Sequence, residues 1–438
     1  MSLGREAGFL TARDQVTNMT YIRNVSSYIG TQGHGVNDSK SQEGSLVGLR
    51  VLDLSRVLAG PLCCQMLGDH GAEVIKVEPP AGDDTRAWGP PFIKEGMSAY
   101  YNAINRNKAN ICLDLSGDRG QEVLGLLLSE SDIVVENFKV GTLARWGFSD
   151  EVLRTRFPRL IIARITGFGA DGPMGGQSGY DAVAQAFGGL MSINGEPGGP
   201  ALRVGVPVVD MVTGILAFSG ILLALNARHR TGQGQIVDCT LADTAVSLLH
   251  PHSASNLADG RIPVRTGSAH PTVAPYDTFE ARDGHVFIGV GNDRQFATLA
   301  EVLDLPEIVE GTRFRTNADR LANMKELKEL MTAKTRVLAK EELAKELLSR
   351  GVPASAVRNV EEVLSDAHIR HRQMLVERGD YIGVGIPIKL SDNPGEVLTA
   401  PRSKGADTRP VLAELGLDAE EIDALCSSSV AVEGTGEA

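Results

Sequence analysis

Between residues 49 and 168, short apolar runs alternate with amphipathic stretches. The runs are rich in β-branched residues, which is typical of buried strands, and they lie at 49–54, 74–77, 110–113, 133–135 and 160–165. Helical periodicity occupies residues 61–70 and 120–129. Strand–helix–strand order with continuously apolar strands predicts an α/β fold, in which a parallel sheet is covered by helices on both faces.

A long apolar segment, 206–227, follows later in the chain. Its length alone would allow a membrane span. Polar residues interrupt it, however, among them Asp210 and Asn226, and Gly214 and Gly220 allow close helix packing. We therefore interpret the segment as a buried core helix. A strand is predicted at 236–239.

The character of the chain changes near residue 256. A hairpin pattern occupies 276–279 and 285–290, and helical patterns follow at 295–303 and 324–350. Strands followed by helices predict a separate, smaller α+β domain. We expect 386–390 and 408–415 to return to the sheet domain. The predicted domains are a poorly ordered extension (1–45), the first part of a large Rossmann-like domain (46–245), the small domain (246–350), a linker returning to the large domain (351–430) and a tail (431–438).

A glycine-rich stretch at 167–179 joins the strand at 160–165 to a helical pattern beginning near residue 182. Asp181 stands at this junction. One interpretation makes it a helix N-cap, whose carboxylate accepts backbone N–H bonds. The other makes it a nucleophile or base approached by a ligand across a floor of glycines, which carry an entropic cost that a cap alone does not explain. The pattern leaves both open.

Ligands of open α/β sheets bind beyond the carboxyl ends of the strands, so the segment 55–61 should line a site. It lacks G-x-G-x-x-G, which removes the main support for a dinucleotide cofactor. Arg106 and Lys108 precede a strand, Lys139 follows one and Arg145 lies shortly beyond, and such cations hold phosphates. The alternative for each is a solvated charged rim.

The composition of the chain limits the kinds of molecule that it is expected to bind. The 438-residue chain has a net charge of −12 and no long basic block, which argues against nucleic acid and against an anionic membrane surface. None of its five cysteines forms a C-x-x-C pair. We expect a reduced, cytoplasmic location and no metal site.

Several motifs, in the same order along the chain, resemble family III CoA-transferases, the CaiB/BaiF family, over about residues 47–425. They are RVLAGPLCCQMLGDHGAEVIKVEPP from Arg56, NRNKANICLDL from Asn105, VVENFKVGTLARWGF from Val134, GYDAVAQAFGGLMSINGEP from Gly179, HRTGQGQIVDCTLADT from His229 and ADTRPVLAELGL from Ala406. Each is weak alone, and the shared order is specific.

The resemblance implies a Rossmann-like large domain, a smaller domain and an interlocked homodimer. It implies that Asp181 is the nucleophile, which takes the acyl group of a CoA thioester as a mixed anhydride and then carries CoA as an aspartyl thioester. No permanently bound cofactor is implied, because the CoA thioester is a substrate together with a carboxylic acid. Covalent catalysis of this kind divides one difficult exchange into easier steps.

The resemblance also assigns contacts. It implies CoA contacts from Val57, Leu58, Ala59, Lys108, Asn137, Phe138 and Arg145, and substrate or loop contacts from Arg56, Tyr180, Gly267 and Ser268. Leu58 stands where formyl-CoA transferases have glutamine, and Pro79 where they have arginine. The first departure argues against oxalate as the acceptor, and the second means that one adenine-side contact differs.

Two alternatives remain. An α-methylacyl-CoA racemase shares the fold but needs an acid–base pair, and its motif has histidine where this chain has Tyr180. A non-catalytic CoA-binding protein would not need the carboxylate of Asp181. Within the transferases, residues 189–193 and 203–206 resemble members that use dicarboxylic acids, often with succinyl-CoA as donor. Arg56, Arg164 and Arg203 are candidates to hold a distal carboxylate, although each is equally suited to a structural ion pair.

Overall fold

The computed structural model describes residues 44–434. Its strands are β1 (Arg50–Asp53), β2 (Glu73–Glu78), β3 (Phe92–Lys94), β4 (Met97–Ser98), β5 (Ala109–Leu113), β6 (Ile133–Glu136), β7 (Ile161–Thr166), β8 (Ile236–Thr240), β9 (Tyr276–Ala281), β10 (Gly284–Gly289), β11 (Ala354–Ala356), β12 (Leu375–Arg378), β13 (Tyr381–Val384) and β14 (Ala431–Val432). The predicted extension lies outside the described residues except for its last two positions, 44 and 45.

Helices cover both faces of the larger sheet and surround the smaller one. The helices of the first half are α1 (Ala59–Asp69), α2 (Ala99–Ile104), α3 (Asp118–Ser129), α4 (Thr142–Arg145), α5 (Asp150–Arg156), α6 (Asp181–Phe187), α7 (Leu190–Ile193), α8 (Val208–Thr231), α9 (Leu241–Ser247) and α10 (His252–Asp259). Those of the second half are α11 (Asp293–Val302), α12 (Glu307–Glu310), α13 (Asn317–Ala322), α14 (Met324–Thr335), α15 (Lys340–Ser349), α16 (Val360–Leu364), α17 (Ala367–His371), α18 (Thr408–Glu414) and α19 (Ala419–Ser427).

The larger sheet has seven strands in the order β14-β5-β2-β1-β6-β7-β8. All neighbours pair in parallel except β14, which runs antiparallel to β5. Side chains of one strand alternate between two cores: Leu52 and Leu54 lie in the core against α3 and α19, and Val51 lies in the core against α1 and α8. Burial on both faces explains the continuous apolar runs, and the predicted mixed α/β fold with a large parallel sheet is confirmed.

The strand order reverses at β1. From there the chain builds outward through β2 and β5, and then returns to place β6 on the other side of β1. The carboxyl ends of β1 and β6 therefore open into a crevice between connections that leave in opposite directions, which is where open α/β sheets bind ligands. This crevice positions the candidate site.

The smaller sheet is antiparallel, in the order β11-β10-β9. Helices α11, α14 and α15 pack their apolar side chains against it, including Phe296, Met331 and Leu347. The predicted helix at 324–350 is two helices, α14 and α15, because residues 336–339 leave the helical conformation.

Two further elements differ from prediction. The predicted tail begins with β14, whose Ala431 pairs with Leu113 at the edge of the large sheet. Helix α8 is long and apolar enough to cross a membrane by length and composition, but it is not a fully buried core helix. One face, with Val209 and Ile221, is buried, and the other exposes Ile215 and Leu223, the latter by 70%.

Candidate active site

The turn after β1 is held by Asn137, the residue that follows the neighbouring strand β6. The backbone N–H of Arg56 donates to Oδ1 of Asn137 (2.9 Å), and Nδ2 of Asn137 donates to the carbonyl of Arg56 (2.7 Å). The next residue, Val57, has φ of 72°, which a β-branched residue rarely adopts. Such strain persists only where the surroundings impose it, and it is concentrated at functional sites.

A cavity of ≈ 260 Å³ opens at the carboxyl ends of β1, β6 and β7. It is lined by the turn after β1, the segment after β6, the glycine-rich stretch after β7 and one residue of α8. The lining residues are Arg56, Val57, Leu58, Ala59, Asn137, Phe138, Lys139, Val140, Ile165, Thr166, Gly167, Gly176, Gln177, Ser178, Gly179, Tyr180, Asp210 and Leu241.

Asp181 is buried and is the first residue of α6, but its carboxylate serves another helix. Its Oδ1 accepts hydrogen bonds from the backbone N–H groups of Val209 (2.8 Å) and Asp210 (3.3 Å) in the first turn of α8. Its Oδ2 accepts from Nε2 of Gln185 (2.6 Å). The N-cap residue of α8 is Pro207, which offers no capping side chain. Asp181 therefore caps α8 from outside that helix.

Asp210 presents a second carboxyl group at the same place. Its side chain lines the cavity, and within residues 44–434 it accepts no hydrogen bond and forms no ion pair. Burial, and then the charge of Asp181, raise the pKa of Asp210 to about 7. Burial and the charges of Asp210, Asp181 and Asp83 raise the pKa of Tyr100 to about 12, so this phenol lies in the same electrostatic environment.

Eight of the candidate site residues singled out from the sequence meet in this cavity: Arg56, Val57, Leu58, Ala59, Asn137, Phe138, Lys139 and Tyr180. Asn137 already uses both ends of its amide on the backbone of Arg56. Phe138 packs edge-on against Trp146, with ring centroids 5.1 Å apart. Tyr180, 65% exposed, is the N-cap residue of α6.

The structure does not place Lys108 in the cavity. Its ammonium is buried and donates to Oδ2 of Asp53 (2.9 Å), the carbonyl of Pro61 (2.8 Å) and Oδ1 of Asn105 (2.9 Å). An ammonium has three donors, and all three are used. In this structure Lys108 therefore makes structural hydrogen bonds, and its contact with a phosphate stays a prediction.

Three other predicted contacts lie outside the cavity lining. Arg145 is exposed on α4 and donates to Oγ1 of Thr142 (2.8 Å). Gly267, with φ of 63°, donates its N–H to the carbonyl of Gly195 (3.0 Å). Gly267 and Ser268 are exposed and pack beside the loop after α7.

The three candidate arginines differ in availability. Arg164 is occupied, because its guanidinium pairs with Glu136 (2.8 Å) and Asp150 (2.7 Å). Arg203 is exposed and donates to the carbonyls of Val204 and Gly205. Arg56 lines the cavity and has one distant partner, Asp84, at 3.9 Å. Of the three, Arg56 alone lines the cavity shared with Asp210.

Sequence reasoning missed Asp210, Gln185 and Tyr100. Asp210 stood out only as a carboxylate inside an apolar segment, and it was treated as an interruption of that segment. A single acid three residues after a proline, at the start of a long apolar helix, is a signal that could have identified it. Nothing in the sequence distinguishes Gln185 from other helical glutamines. Within residues 44–434, no cluster of three or more metal-ligating side chains occurs.

Known proteins share this architecture. The family model for CoA-transferase family III matches residues 46–408, so the chain belongs to that family. It is 40% identical to a succinate–glutarate CoA-transferase of Agrobacterium fabrum (87% of this chain, 98% of the relative). It is 39% identical to a succinyl-CoA:mesaconate CoA-transferase of Haloarcula hispanica (85% and 94%). The crystal structure of a CaiB/BaiF family protein from Brucella suis superimposes with a TM-score of 0.79 at 40% identity (85% and 100%).

Proposed function

We propose that this protein is a CoA-transferase that moves CoA from succinyl-CoA to a dicarboxylic acid. The observation that carries the proposal is the position of Asp181, the first residue of α6, directly after Gly179 and Tyr180, which line a cavity at the carboxyl edge of the sheet. Family membership and the two transferases reported above, whose named acids are all dicarboxylic, support the same reaction.

In the proposed reaction, a carboxylate oxygen of Asp181 attacks the thioester carbonyl of succinyl-CoA. The C–S bond breaks, CoA leaves as a thiolate, and a mixed anhydride remains. The thiolate then attacks the aspartyl carbonyl, which releases succinate and leaves an aspartyl-CoA thioester. The acceptor carboxylate attacks this thioester, breaks its C–S bond and forms a second mixed anhydride. The released thiolate attacks the acceptor's acyl carbon, which gives a new acyl-CoA and restores the carboxylate of Asp181 without net proton transfer.

Asp181 is proposed as the nucleophile, as the resemblance implies. Its carboxylate accepts hydrogen bonds from the backbone N–H groups of Val209 and Asp210 and from Nε2 of Gln185, which hold both of its oxygens in place. When the carbonyl of an aspartyl anhydride or thioester is attacked, N–H groups held in this way stabilise the oxyanion that develops. Asp210, whose pKa is raised to about 7, presents a second carboxyl group at the cavity.

CoA is proposed to lie along the turn at Arg56–Ala59 and the segment after β6. The strained turn, clamped by Asn137, gives a fixed surface against which a long ligand can be ordered. Phe138 offers an aromatic face. Lys139, exposed at the rim, is the lysine of this cavity suited to a phosphate.

Two chains are proposed to assemble as an interlocked homodimer in the cytoplasm. Support for the dimer comes from apolar side chains that remain exposed on α8, on α10 and just after it: Leu223, Leu257, Ile262 and Val264. Exposed apolar residues concentrated in this way mark interfaces. A dimer would also help to exclude water, which otherwise hydrolyses an anhydride.

The nucleophile can be identified directly. Trypsin cleaves after Arg164, Arg203 and Arg228, so Asp181 and Asp210 fall in separate peptides, 165–203 and 204–228. The protein is incubated with succinyl-CoA, quenched with hydroxylamine and digested. Mass spectrometry should find a hydroxamate in peptide 165–203, absent in Asp181→Asn and present in Asp118→Asn, which alters an exposed carboxylate of α3.

Other results assign other chemistry. A hydroxamate in peptide 204–228 would make Asp210 the nucleophile. No label in either peptide, together with deuterium exchange at the α-carbon of a 2-methylacyl-CoA, would replace the transferase with a racemase that uses the two carboxyl groups as an acid–base pair. No label and no exchange would leave a CoA-binding protein without turnover.

A further inference from the structure

The segment between α7 and α8 is tied to the proposed nucleophile. It folds back on itself, because the N–H of Leu202 donates to the carbonyl of Asn194 (3.2 Å) and Nδ2 of Asn194 donates to the carbonyl of Leu202 (2.9 Å). The N–H of Val204 then donates to Oε1 of Gln185 (2.8 Å), whose Nε2 donates to Oδ2 of Asp181 (2.6 Å). One amide group and two hydrogen bonds therefore separate the backbone of Val204 from the carboxylate of Asp181, a separation comparable with the length of succinate or glutarate.

Arg203 lies directly before this anchor and carries an available guanidinium group. The residue is exposed, and its Nη1 donates to the carbonyls of Val204 (3.1 Å) and Gly205 (3.2 Å). It forms no ion pair within residues 44–434. A guanidinium has five N–H donors, so Nε and Nη2 of Arg203 remain for a ligand.

Arg265 reaches the same segment from the loop that follows α10. Its Nη1 donates to the carbonyl of Ser192 in α7 (3.2 Å), and its Cδ lies 3.0 Å from the position that a Cβ on Gly195 would take. Cγ of Leu202, the residue before Arg203, is 3.7 Å from the same position. The absence of a side chain at Gly195 thus lets Arg265 pack against the stretch of chain that carries Arg203.

The Nε atom of Arg265 is buried and has no hydrogen-bond partner in the part of the chain that the structure describes. A buried donor without an acceptor is costly, and a bound anion would remove that cost. Because Nη1 is used on Ser192, the remaining edge of the guanidinium is formed by Nε and Nη2. Two parallel N–H donors of this kind match the two oxygens of one carboxylate.

No carboxylate of the described residues neutralises either arginine. Glu196 belongs to the same segment, and its Oε2 lies 2.9 Å from the position that a Cβ on Gly267 would take, but it pairs with neither Arg203 nor Arg265. Arginines elsewhere in the chain, such as Arg164 with Glu136, have such partners. The segment beside the nucleophile therefore offers two positive charges to an anionic ligand.

We propose that Arg203 and Arg265 form a subsite for the carboxylate that does not react, first that of succinyl-CoA and then that of the acceptor acid. The inference rests on the proposed function and names residues that select its substrates. An acid held by its far end presents its near carboxyl group to the thioester on Asp181, and a monocarboxylic acid is not oriented in this way. Arg56 lines the cavity itself and can share the same carboxylate.

The test compares kcat/KM for glutarate with kcat/KM for butyrate, with succinyl-CoA as the donor. In a two-stage transfer this quantity describes the reaction of the acceptor with the aspartyl-CoA intermediate, so effects on the donor cancel. We expect Arg203→Gln and Arg265→Gln each to lower kcat/KM for glutarate about tenfold or more, through KM, and to change the low value for butyrate less than about twofold.

Arg261→Gln is the matched control. Arg261 lies in the same loop as Arg265, its side chain is 75% exposed, and it pairs with Asp259 (2.5 Å). Its loss should leave the ratio of the two kcat/KM values unchanged. If Arg203→Gln and Arg265→Gln also leave that ratio unchanged, or lower both values equally, the subsite is refuted.

Arg203→Gln keeps the test decisive if the Arg265→Gln variant does not fold, because Arg203 is exposed. The ratio of the two kcat/KM values is also independent of the fraction of enzyme that is folded. A wild-type protein that transfers CoA to neither acid and acquires no hydroxamate would refute the proposed transferase function. An active transferase whose preference for glutarate survives both substitutions would refute the subsite alone, so the two failures are distinct.

Discussion

The carboxylate of Asp181 accepts the backbone N–H of Asp210 at 3.3 Å, which brings together two aspartates 29 residues apart. One carboxylate accepts the N–H groups of the first turn of α8, and the other carboxyl group lies at the cavity. Burial, and then the charge of Asp181, raise the pKa of Asp210, because two acids in one desolvated place cannot both ionise easily. The two acids therefore share one desolvated place at the start of α8.

Asp181→Ala should reduce stability, because the amides of Val209 and Asp210 lose their acceptor. Loss of a helix cap costs about 1 to 2 kcal/mol of unfolding free energy. Urea unfolding monitored by circular dichroism measures this cost. Asp118→Ala, in the first turn of α3 with no cap role, is the control, and equal midpoints for the two variants would contradict the capping role.

Asp210→Asn should stabilise the protein at alkaline pH. The pKa of Asp210 is raised in the folded state from 3.8 to about 7, so the stability tied to its protonated form is complete below 3.8 and is lost as pH rises to about 7. Asparagine does not ionise, so the Asp210→Asn variant does not lose stability as pH rises through this range. After allowance for partial exposure, we expect a gain of about 1 to 2 kcal/mol at pH 8 that shrinks towards pH 4. A gain independent of pH would contradict the raised pKa.

Asn137→Ala should release the turn after β1, because both hydrogen bonds to Arg56 disappear and Val57 can relax from its left-handed conformation. We expect KM for succinyl-CoA to rise about tenfold, with a smaller effect on kcat. Asn137→Asp is the control. It keeps the acceptor for the N–H of Arg56 but loses the donor, so its KM for succinyl-CoA should lie between those of the wild type and the alanine variant. If KM is unchanged in the alanine variant, the turn does not order CoA.

Lys108→Met should destabilise the protein rather than weaken CoA binding. Removing one partner of a buried ion pair leaves Asp53 charged and unpaired, at a cost of about 3 to 5 kcal/mol. Thermal unfolding should detect this loss, while KM for succinyl-CoA in the folded fraction stays near the wild-type value. If Lys108→Met instead raises KM for succinyl-CoA and leaves the melting temperature unchanged, Lys108 contacts a phosphate of CoA, as the sequence predicts.

Arg56→Gln should separate dicarboxylic from monocarboxylic acceptors. If the guanidinium holds the distal carboxylate, KM for glutarate should rise about tenfold or more, and the low activity with butyrate should change little. Asp84→Asn is the matched control: it removes the distant partner at 3.9 Å and should lower KM for glutarate slightly. If activity falls equally with glutarate and with butyrate, Arg56 contacts CoA and not the distal carboxylate.

Much of the fold could be predicted because burial on both faces of a parallel sheet leaves a simple signature. Runs such as 133–135 are apolar at every position, and they mark strands regardless of what packs on them. β14 was not predicted, because a strand of two residues, Ala431 and Val432, is too short to show a period. The exposed face of α8 was not predicted, because an apolar segment has the same sequence pattern whether it contacts its own chain or another surface.

The site was harder to predict, because its distinctions depend on distant partners. Lys108 resembled a phosphate-binding residue, and only the fold shows that Asp53 and Pro61 use its protons. Asp181 and Asp210 differ in role because of what each contacts, which no local pattern records. The cluster Arg56–Ala59 could be predicted, since its position after the first strand fixes its place at the sheet edge.

The pairing of β14 with β5 has a consequence for synthesis. Leu113 leaves the ribosome about 300 residues before Ala431, its partner. At roughly 5 to 20 residues per second, β5 waits about 15 to 60 seconds with one edge open. An open edge strand invites pairing with other nascent chains. The two residues of β14 thus cover an edge of the large sheet that stays open through most of synthesis.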